Sequence, residues 1–245
     1  MVLLDALKDI VKHTHSLGFI DMVKVIGTAT DLKIETKDAD NTVIIYGTLY
    51  QPVPGLESTI GISRMGLLKG VIGLHDNSSV TLVNETRGGV DVPSEIVFDN
   101  GAEFVSTYRL MSESMINEQV KVPVFKGASW DVTSTPSTSA IALLGSNVGI
   151  YGGYEKRFVV KVEKGTLKFD IGSGPTDRVT IPFATGVTGT LKHTWSFPLS
   201  QVVGILKLAD TAESTTMSFS DAGALKIDID SGTGKYSFIL PASKV

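Results

Sequence analysis

The chain has 245 residues, 42% of them hydrophobic and 20% charged, with a formal net charge of −4 and no cysteine. These values fit a globular chain long enough for two domains, and they exclude a disordered chain, a disulfide scaffold and a thiolate metal site. The net-acidic sum argues against a nucleic-acid partner until the charge is followed along the chain.

The opening text, MVLLDALKDIVK, is charged by its fifth residue and lacks a long apolar core, so it does not read as a secretory signal. No apolar run approaches the ~20 residues of a membrane-spanning helix, and the expectation is a soluble, cytoplasmic protein. A first helix is expected over about 2–17, with Leu3, Leu7, Ile10 and Leu17 on one stripe. Lys8, Lys12 and His15 follow at i, i+4 and i+7, on a face that is either merely solvated or carries a ligand. Strand–turn–strand text follows in DLKIETKDADNTVIIYGTL (31–49). A second helix is expected over 63–73 and carries Gly66, Gly70 and Gly73. Each glycine costs roughly 1 kcal/mol against alanine, so something is expected to approach this helix closely. SEIVFDNGAEFVSTYRL (94–110) then gives an alternating run and a hairpin at Asn100-Gly101.

The stretch 111–123, MSESMINEQVKVP, reads as a connector with no structure of its own. Its Met111, Met115, Ile116 and Val120 either pack onto a sheet or form one wall of a partner groove. Ser134 or Thr135 can cap a third helix over 135–147, with Ile141, Leu144 and Val148 inward. RFVVKV (157–162) and TLKFDIGSGPTDRVTIPF (166–183) are strand text with a turn at Lys164-Gly165. A fourth helix over 198–208 opens on Pro198 and carries the stripe Leu199, Val202, Val203 and Leu206. ALKIDIDSGTGKYSFIL (224–240) is a closing hairpin with its turn at Ser231-Gly232.

The order repeats. ISRMGLLKGVIGL (62–74) returns as FPLSQVVGILKLA (197–209), with matching strand text before and a hairpin behind each. Two copies of one helix-and-strand unit predict an α+β fold of two duplicated domains with mainly antiparallel sheets, helices on one face. The expected boundaries are 1–110, a connector at 111–123, and 124–245. The four helices hold five basic residues (Lys8, Lys12, Arg64, Lys69, Lys207) and two acidic ones, whereas the rest of the chain holds 17 and 24. Charge is therefore segregated onto the helices.

Catalytic patterns are missing: there is no G-x-S-x-G elbow, no P-loop and no dinucleotide fingerprint. His13, His15, His75 and His193 have no metal-ligand spacing. Asp38–Asn41 and Asp228–Asp230 lack the glycine and closing glutamate of a calcium loop and read as hairpin turns. Trp130 and Trp195 read as core. No cofactor or metal is expected.

With these elements in place, the chain resembles the sliding clamps of DNA replication, most nearly those of bacteriophages. STIGISRMGLLKGVIGLHDNSSVTLV looks like the family's strand, inner helix and following strand, and KRFVVKVEKGTLKFDI like the opening hairpin of its second domain. YSFILPASKV resembles the tail of the eukaryotic and archaeal clamp, the proliferating cell nuclear antigen. The resemblance covers essentially the whole chain as an order of elements. It implies a DNA-clamp fold and a homotrimeric ring around duplex DNA that tethers a polymerase, with a clamp loader as a further partner. It implies DNA contact through Lys8, Lys12, Arg64, Lys69 and Lys207. The third helix departs from the pattern, having no basic residue, although Lys156 and Arg157 follow it. It also implies ring closure between strands at about 103–110 and 177–183, and capture of the polymerase's C-terminal peptide by Met111, Ile116, Val120, Pro123, Leu240, Pro241 and Ala242. Two other classes stay open: a phage tail or baseplate subunit, and an enzyme with a scattered site. Basic residues concentrated on helices favour the clamp over the first, and the lack of any catalytic constellation weighs against the second.

Overall fold

The computed structural model describes residues 1–75, 78–101, 104–174 and 177–245. They divide into two compact units, 1–123 with 233–236, and 124–232 with 237–245.

In the first unit, α1 (Leu3–His13) forms where Leu3, Leu4, Leu7, Ile10 and Val11 recur on one stripe, and all five are buried. Each such side chain contributes roughly 1.5–3 kcal/mol on burial. A 3-10 turn at His15–Leu17 ends on Gly18, whose φ of 87° is the left-handed conformation that glycine adopts without a Cβ clash. Strands β1 (Val23–Gly27), β2 (Leu32–Lys37), β3 (Ile44–Leu49) and β4 (Thr59–Ile62) are antiparallel in the order β4-β1-β2-β3. Their inward residues, among them Val23, Val25, Ile34, Ile45 and Ile60, are fully buried. The DADN turn between β2 and β3 is closed by Asp38, whose Oδ1 accepts from the Val43 N–H at 2.9 Å and whose Oδ2 accepts from Thr42. α2 (Met65–Leu74) buries Met65, Leu68 and Ile72 and packs on α1. β5 (Ser79–Arg87), β6 (Val90–Asp99) and β7 (Val105–Arg109) make a separate antiparallel sheet in that order. The 111–123 segment is more ordered than its sequence led us to expect, because α3 (Glu113–Gln119) forms within it.

In the second unit the elements come in the same order. β8 (Val132–Ser134) precedes α4 (Thr138–Tyr151), where Ser137 rather than Ser134 or Thr135 caps, accepting from the Ala140 N–H. Next come β9 (Arg157–Glu163), β10 (Thr166–Ile171), β11 (Val179–Thr185) and β12 (Trp195–Pro198). α5 (Leu199–Leu206) continues into a 3-10 turn at Lys207–Thr211, followed by β13 (Ser214–Ser220), β14 (Ala224–Asp230), β15 (Gly234–Pro241) and β16 (Ser243–Lys244). The sheet order β12-β9-β10-β11 reproduces β4-β1-β2-β3. Lys164 (φ 51°) and Gly165 (φ 72°) both sit in the left-handed region at the β9–β10 turn, as a two-residue hairpin demands. The core here is aromatic: the Phe169 ring stacks on Phe183 at 4.3 Å and meets Phe158 at 4.7 Å, with Phe197 edge-on to Phe219 at 5.8 Å. Trp130 and Trp195 are only half-buried, contrary to expectation. The Trp195 indole N–H spans to the Asp221 carbonyl, and Trp130 lies against Phe125 with the Lys226 ammonium 5.3 Å from its ring.

The repeat extends to register. Lys24 faces Gly61 across β1 and β4, and Val159 faces Ser196 across β9 and β12. Gly61 bridges to Met111, just past the first repeat's last strand, and Ser196 bridges to Ser243, just past the second's.

Candidate nucleic-acid interface

Of the basic residues picked out by sequence, Lys8, Lys12 and Lys69 fall on helices, and Arg64 and Lys207 flank helix ends. On α1 the buried stripe leaves Lys12 exposed and Lys8 partly so. Of the two acids on that helix, Asp9 is turned inward, where it takes the Tyr236 hydroxyl on Oδ2 at 2.6 Å. The His13 ring lies flat on the Tyr236 ring at 4.4 Å and donates from Nδ1 to the Asp9 carbonyl at 2.9 Å. Burial, and then the Asp9 charge, push the Tyr236 hydroxyl well above its ordinary value, so it stays protonated and donates. One negative charge is thereby withdrawn from the α1 surface, leaving Asp5 exposed among the acids there. Nothing local announces this cluster, since Asp9 and Tyr236 are 227 residues apart.

Arg64 lies one residue before α2 rather than inside it, exposed, with φ 52° and ψ 47°. A non-glycine residue there is strained by roughly 1–2 kcal/mol. The conformation is imposed from both sides: the Leu67 and Leu68 N–H groups bond to its carbonyl, and the buried Tyr108 hydroxyl donates to the Ser63 carbonyl. Burial raises Tyr108 to about 12 even though the Arg64 guanidinium pulls it down. Lys69 is exposed on α2. Gly66 meets only the His15 ring, at 3.5 Å from the position a Cβ would take, and Gly70 and Gly73 face open space. Among the described residues, the close approach expected of this helix is therefore not made at Gly70 or Gly73. Lys8, Lys12, Arg64 and Lys69 belong to one unit on two helices packed together, while Lys207 stands exposed at the end of α5 in the other.

α4 is uncharged on its exposed side, where Ala142, Leu143, Ser146, Gly149 and Ile150 lie. Lys156 donates to the Gly152 carbonyl at the end of that helix, a favourable place for a cation. Arg157 does not supplement the α4 face; its guanidinium reaches β12, donating to Ser196 Oγ (3.0 Å) and the Ser196 carbonyl (2.5 Å).

Each unit also ends on a sheet edge. In the first, the outer edge of β3 is occupied by residues 234–236, and the Tyr50 N–H bonds the Thr233 carbonyl at 3.0 Å. The equivalent strand of the second unit, β11, ends its sheet with Thr180 and Pro182 exposed beside a groove of about 410 Å³ lined by Ser139, Ala140, Leu143 and Ala184. Pro182 lacks the N–H a central strand would need. β7 is likewise an edge strand. Around it Leu74, Phe104 and Val105 are 70%, 44% and 59% exposed. Buried His75 braces this edge, bonding Ser78 Oγ at 2.9 Å and Ser106 Oγ at 2.8 Å with its ring 4.7 Å from Phe104. Glu103, where the closing strand was expected to begin, lies outside the described residues.

The residues expected of a partner surface differ in burial. Met111, Ile116 and Val120 come together, but facing inward, with Met22 and Val122 against them. Leu240 is fully buried, so these four offer no surface in this conformation. α3 packs against β4, which places the first three on its inward side. Pro123 and Pro241 are exposed and Ala242 partly so; the Pro123 carbonyl accepts from the Tyr46 hydroxyl and the Ala242 N–H bonds Gly223. Among the described residues no cluster of three potential metal ligands occurs, and no helix is long and apolar enough to cross a membrane.

No family model matches the sequence, and no curated protein matches it. Solved structures do. The proliferating cellular nuclear antigen from Entamoeba histolytica is similar with a TM-score of 0.68 over 98% of this chain and 96% of its own, at 14% identity. The A. fulgidus PCNA carrying the C-terminal region of FEN-1 gives 0.71 over 99% and 96%, also at 14% identity. The chain has the DNA-clamp fold: α+β, duplicated and antiparallel, over nearly its whole length.

Proposed function

We propose that this chain is a sliding clamp, three copies of which close into a ring around duplex DNA and hold a replicative polymerase to its template without catalysing a reaction themselves. The observation that carries this reading is the unequal treatment of two equivalent edges. The third strand of the second repeat's hairpin sheet supplies residues 234–236 to the edge of β3, whereas among the described residues no strand pairs with the outer edge of β11, the counterpart of β3. The first repeat's third strand is β7, and it too is open. A second copy's β7 laid on β11 would repeat the arrangement head to tail, and a head-to-tail contact either closes into a ring or runs on as a fibre. The fold shared with PCNA favours closure.

In that ring Lys8, Lys12, Arg64, Lys69 and Lys207 face the duplex and touch phosphates, which hold without reading sequence and so permit sliding. Apolar and small exposed residues on α2 and α4 make the lining lean in charge. Partner peptides, including the polymerase's C-terminal segment and those of a clamp loader, dock on the exposed part of the connecting segment, at Met115 and Pro123. The structure containing the C-terminal region of FEN-1 on A. fulgidus PCNA supports peptide docking as the mode. Kinship with phage clamps would place the ring in the cytoplasm of an infected cell.

The test is retention on DNA. Ring loaded on nicked circular plasmid should co-elute with it and be lost when the plasmid is cut once. Equal retention on linear and circular DNA would refute encirclement.

A further inference from the structure

The register match between repeats exposes one place where they differ in occupancy. In the first unit, Met111 bridges to Gly61 and the chain then turns as α3 across β4, seating Ile116 so closely that a Cβ on Gly61 would lie 2.8 Å from Ile116 Cβ and Cδ1. Met22 packs against the same segment. In the second unit the matching positions are Ser243 for Met111, Ser196 for Gly61 and, one residue before the strand register Val23–Ile62 and Phe158–Phe197, Arg157 for Met22. Of these, Ser243 is exposed, Arg157 half-buried and Ser196 buried. An open groove of about 290 Å³ runs there, its lining including Glu155, Arg157, Asp170, Ser196, Ser243 and Lys244.

Arg157 is the unusual member. Two of its nitrogens are fixed on Ser196, and no carboxylate among the described residues pairs with it. Two acids line the groove: Asp170, engaged by Lys161 at 2.8 Å and Thr180 at 2.6 Å, and Glu155, which forms no ion pair with Arg157. Partial burial without a counter-charge penalises the guanidinium and lowers its pKa from the ordinary value. A held, uncompensated guanidinium at a groove is suited to a carboxylate, which it can meet in plane through its remaining N–H groups.

We propose that this groove is a second docking site, built to seat an acidic peptide segment from a partner protein over β12 and β16, with a carboxylate on Arg157. The fold already uses this surface to hold a chain segment in the first repeat. What changes in the second is the chemistry, from Met22, Gly61 and Met111 to Arg157, Ser196 and Ser243, so the occupant changes from an aliphatic segment to an acidic one. The site lies wholly within the second unit and does not depend on ring formation.

The chain's own segment supplies the probe. A dye-labelled, end-capped peptide of residues 111–122 carrying Ile116→Glu should bind the full-length protein saturably, about tenfold or more tighter than the unsubstituted peptide. Amide shifts should centre on Val159, Ser243 and Lys244. Arg157→Met should reverse the preference toward the unsubstituted peptide, and Arg157→Lys, keeping charge but not the fork, should bind with intermediate affinity. Should Arg157→Met fail to fold, Ser196→Ala, which removes the Oγ acceptor and leaves the guanidinium held only by the Ser196 carbonyl, should weaken binding severalfold. The proposal is overturned if the wild-type protein does not distinguish the two peptides, if the shifts lie elsewhere, or if inorganic phosphate or a short duplex displaces the peptide more effectively than free glutamate-containing peptide does.

Discussion

Arg64→Gly should make the protein more stable and worse at holding DNA. Arg64 sits at φ 52°, ψ 47° because the first turn of α2 and the Tyr108–Ser63 hydrogen bond hold it there. Removing the Cβ relieves roughly 1–2 kcal/mol of left-handed strain. Removing a cation from the positive end of a helix adds about 0.3–1 kcal/mol. Greater freedom of glycine in the unfolded chain returns roughly 0.5–1 kcal/mol of this. The net is about 1 kcal/mol of stabilisation, or a Tm increase of about 2–4 °C for a chain of this size. If Arg64 neutralises a phosphate, its removal makes the slope of log K against log salt shallower by ~0.9, measured by anisotropy with a short duplex between about 50 and 200 mM salt. Arg64→Ala is the control: it keeps the Cβ and its strain, so it should show the same change in slope without the full gain in Tm. A lower Tm for Arg64→Gly, or an unchanged salt slope, would refute the reasoning.

Three other outcomes follow from the geometry. Val105→Asp, placing a charge on the open edge of β7, should reduce the native mass from about 78 kDa, three times 26.1 kDa, to that of a monomer in sedimentation; an intact oligomer would remove β7 from the seam. Gly61→Ala puts a Cβ 2.8 Å from Ile116 and Met111. It should cost about 1–3 kcal/mol as α3 is pushed from β4, seen as a lower urea midpoint and faster proteolysis within 113–119, and unchanged cleavage would contradict the packing. Tyr108 is raised from 10.0 to about 12 in the fold. Between those values the unfolded chain binds fewer protons than the folded one, so stability is full below pH 10 and falls as pH rises toward about 12. Urea melts of Tyr108→Phe across that window should show a gentler fall, with the remainder carried by Tyr236; an identical fall would assign the alkaline limb elsewhere.

Much of the fold was legible because its signals are local. The 62–74 and 197–209 blocks each begin at the end of a strand and run through a helix, so their alignment predicted the duplication, and the matching sheet orders agree with it. α3 was not legible as a helix: its seven residues bury only Ile116, too little for a periodic stripe. The glycines of α2 misled for a different reason. A helix glycine signals a local cost without saying why it is tolerated, and Gly70 and Gly73 turned out to face open space. Cationic positions could be read from helix text, but the inward turn of Asp9 toward Tyr236 and the reach of Arg157 to Ser196 depend on residues 227 and 39 positions away. Met111, Ile116 and Val120 show the same limit, since apolar spacing fixes a shared face and not whether it turns in or out.

The most direct test uses the absence of cysteine in the chain. Thr107→Cys on β7, paired in turn with Thr180→Cys and Pro182→Cys on β11, places thiols on the exposed faces of the two open edges. Facing Cα atoms in antiparallel strands are about 4.5–5.5 Å apart, within disulfide reach. Oxidation followed by a denaturing gel should give covalent species that stop at three chains, with the closed trimer dominant in one pairing. A ladder running past three chains would mean an open polymer, and monomer alone in both pairings would mean that β7 and β11 do not meet.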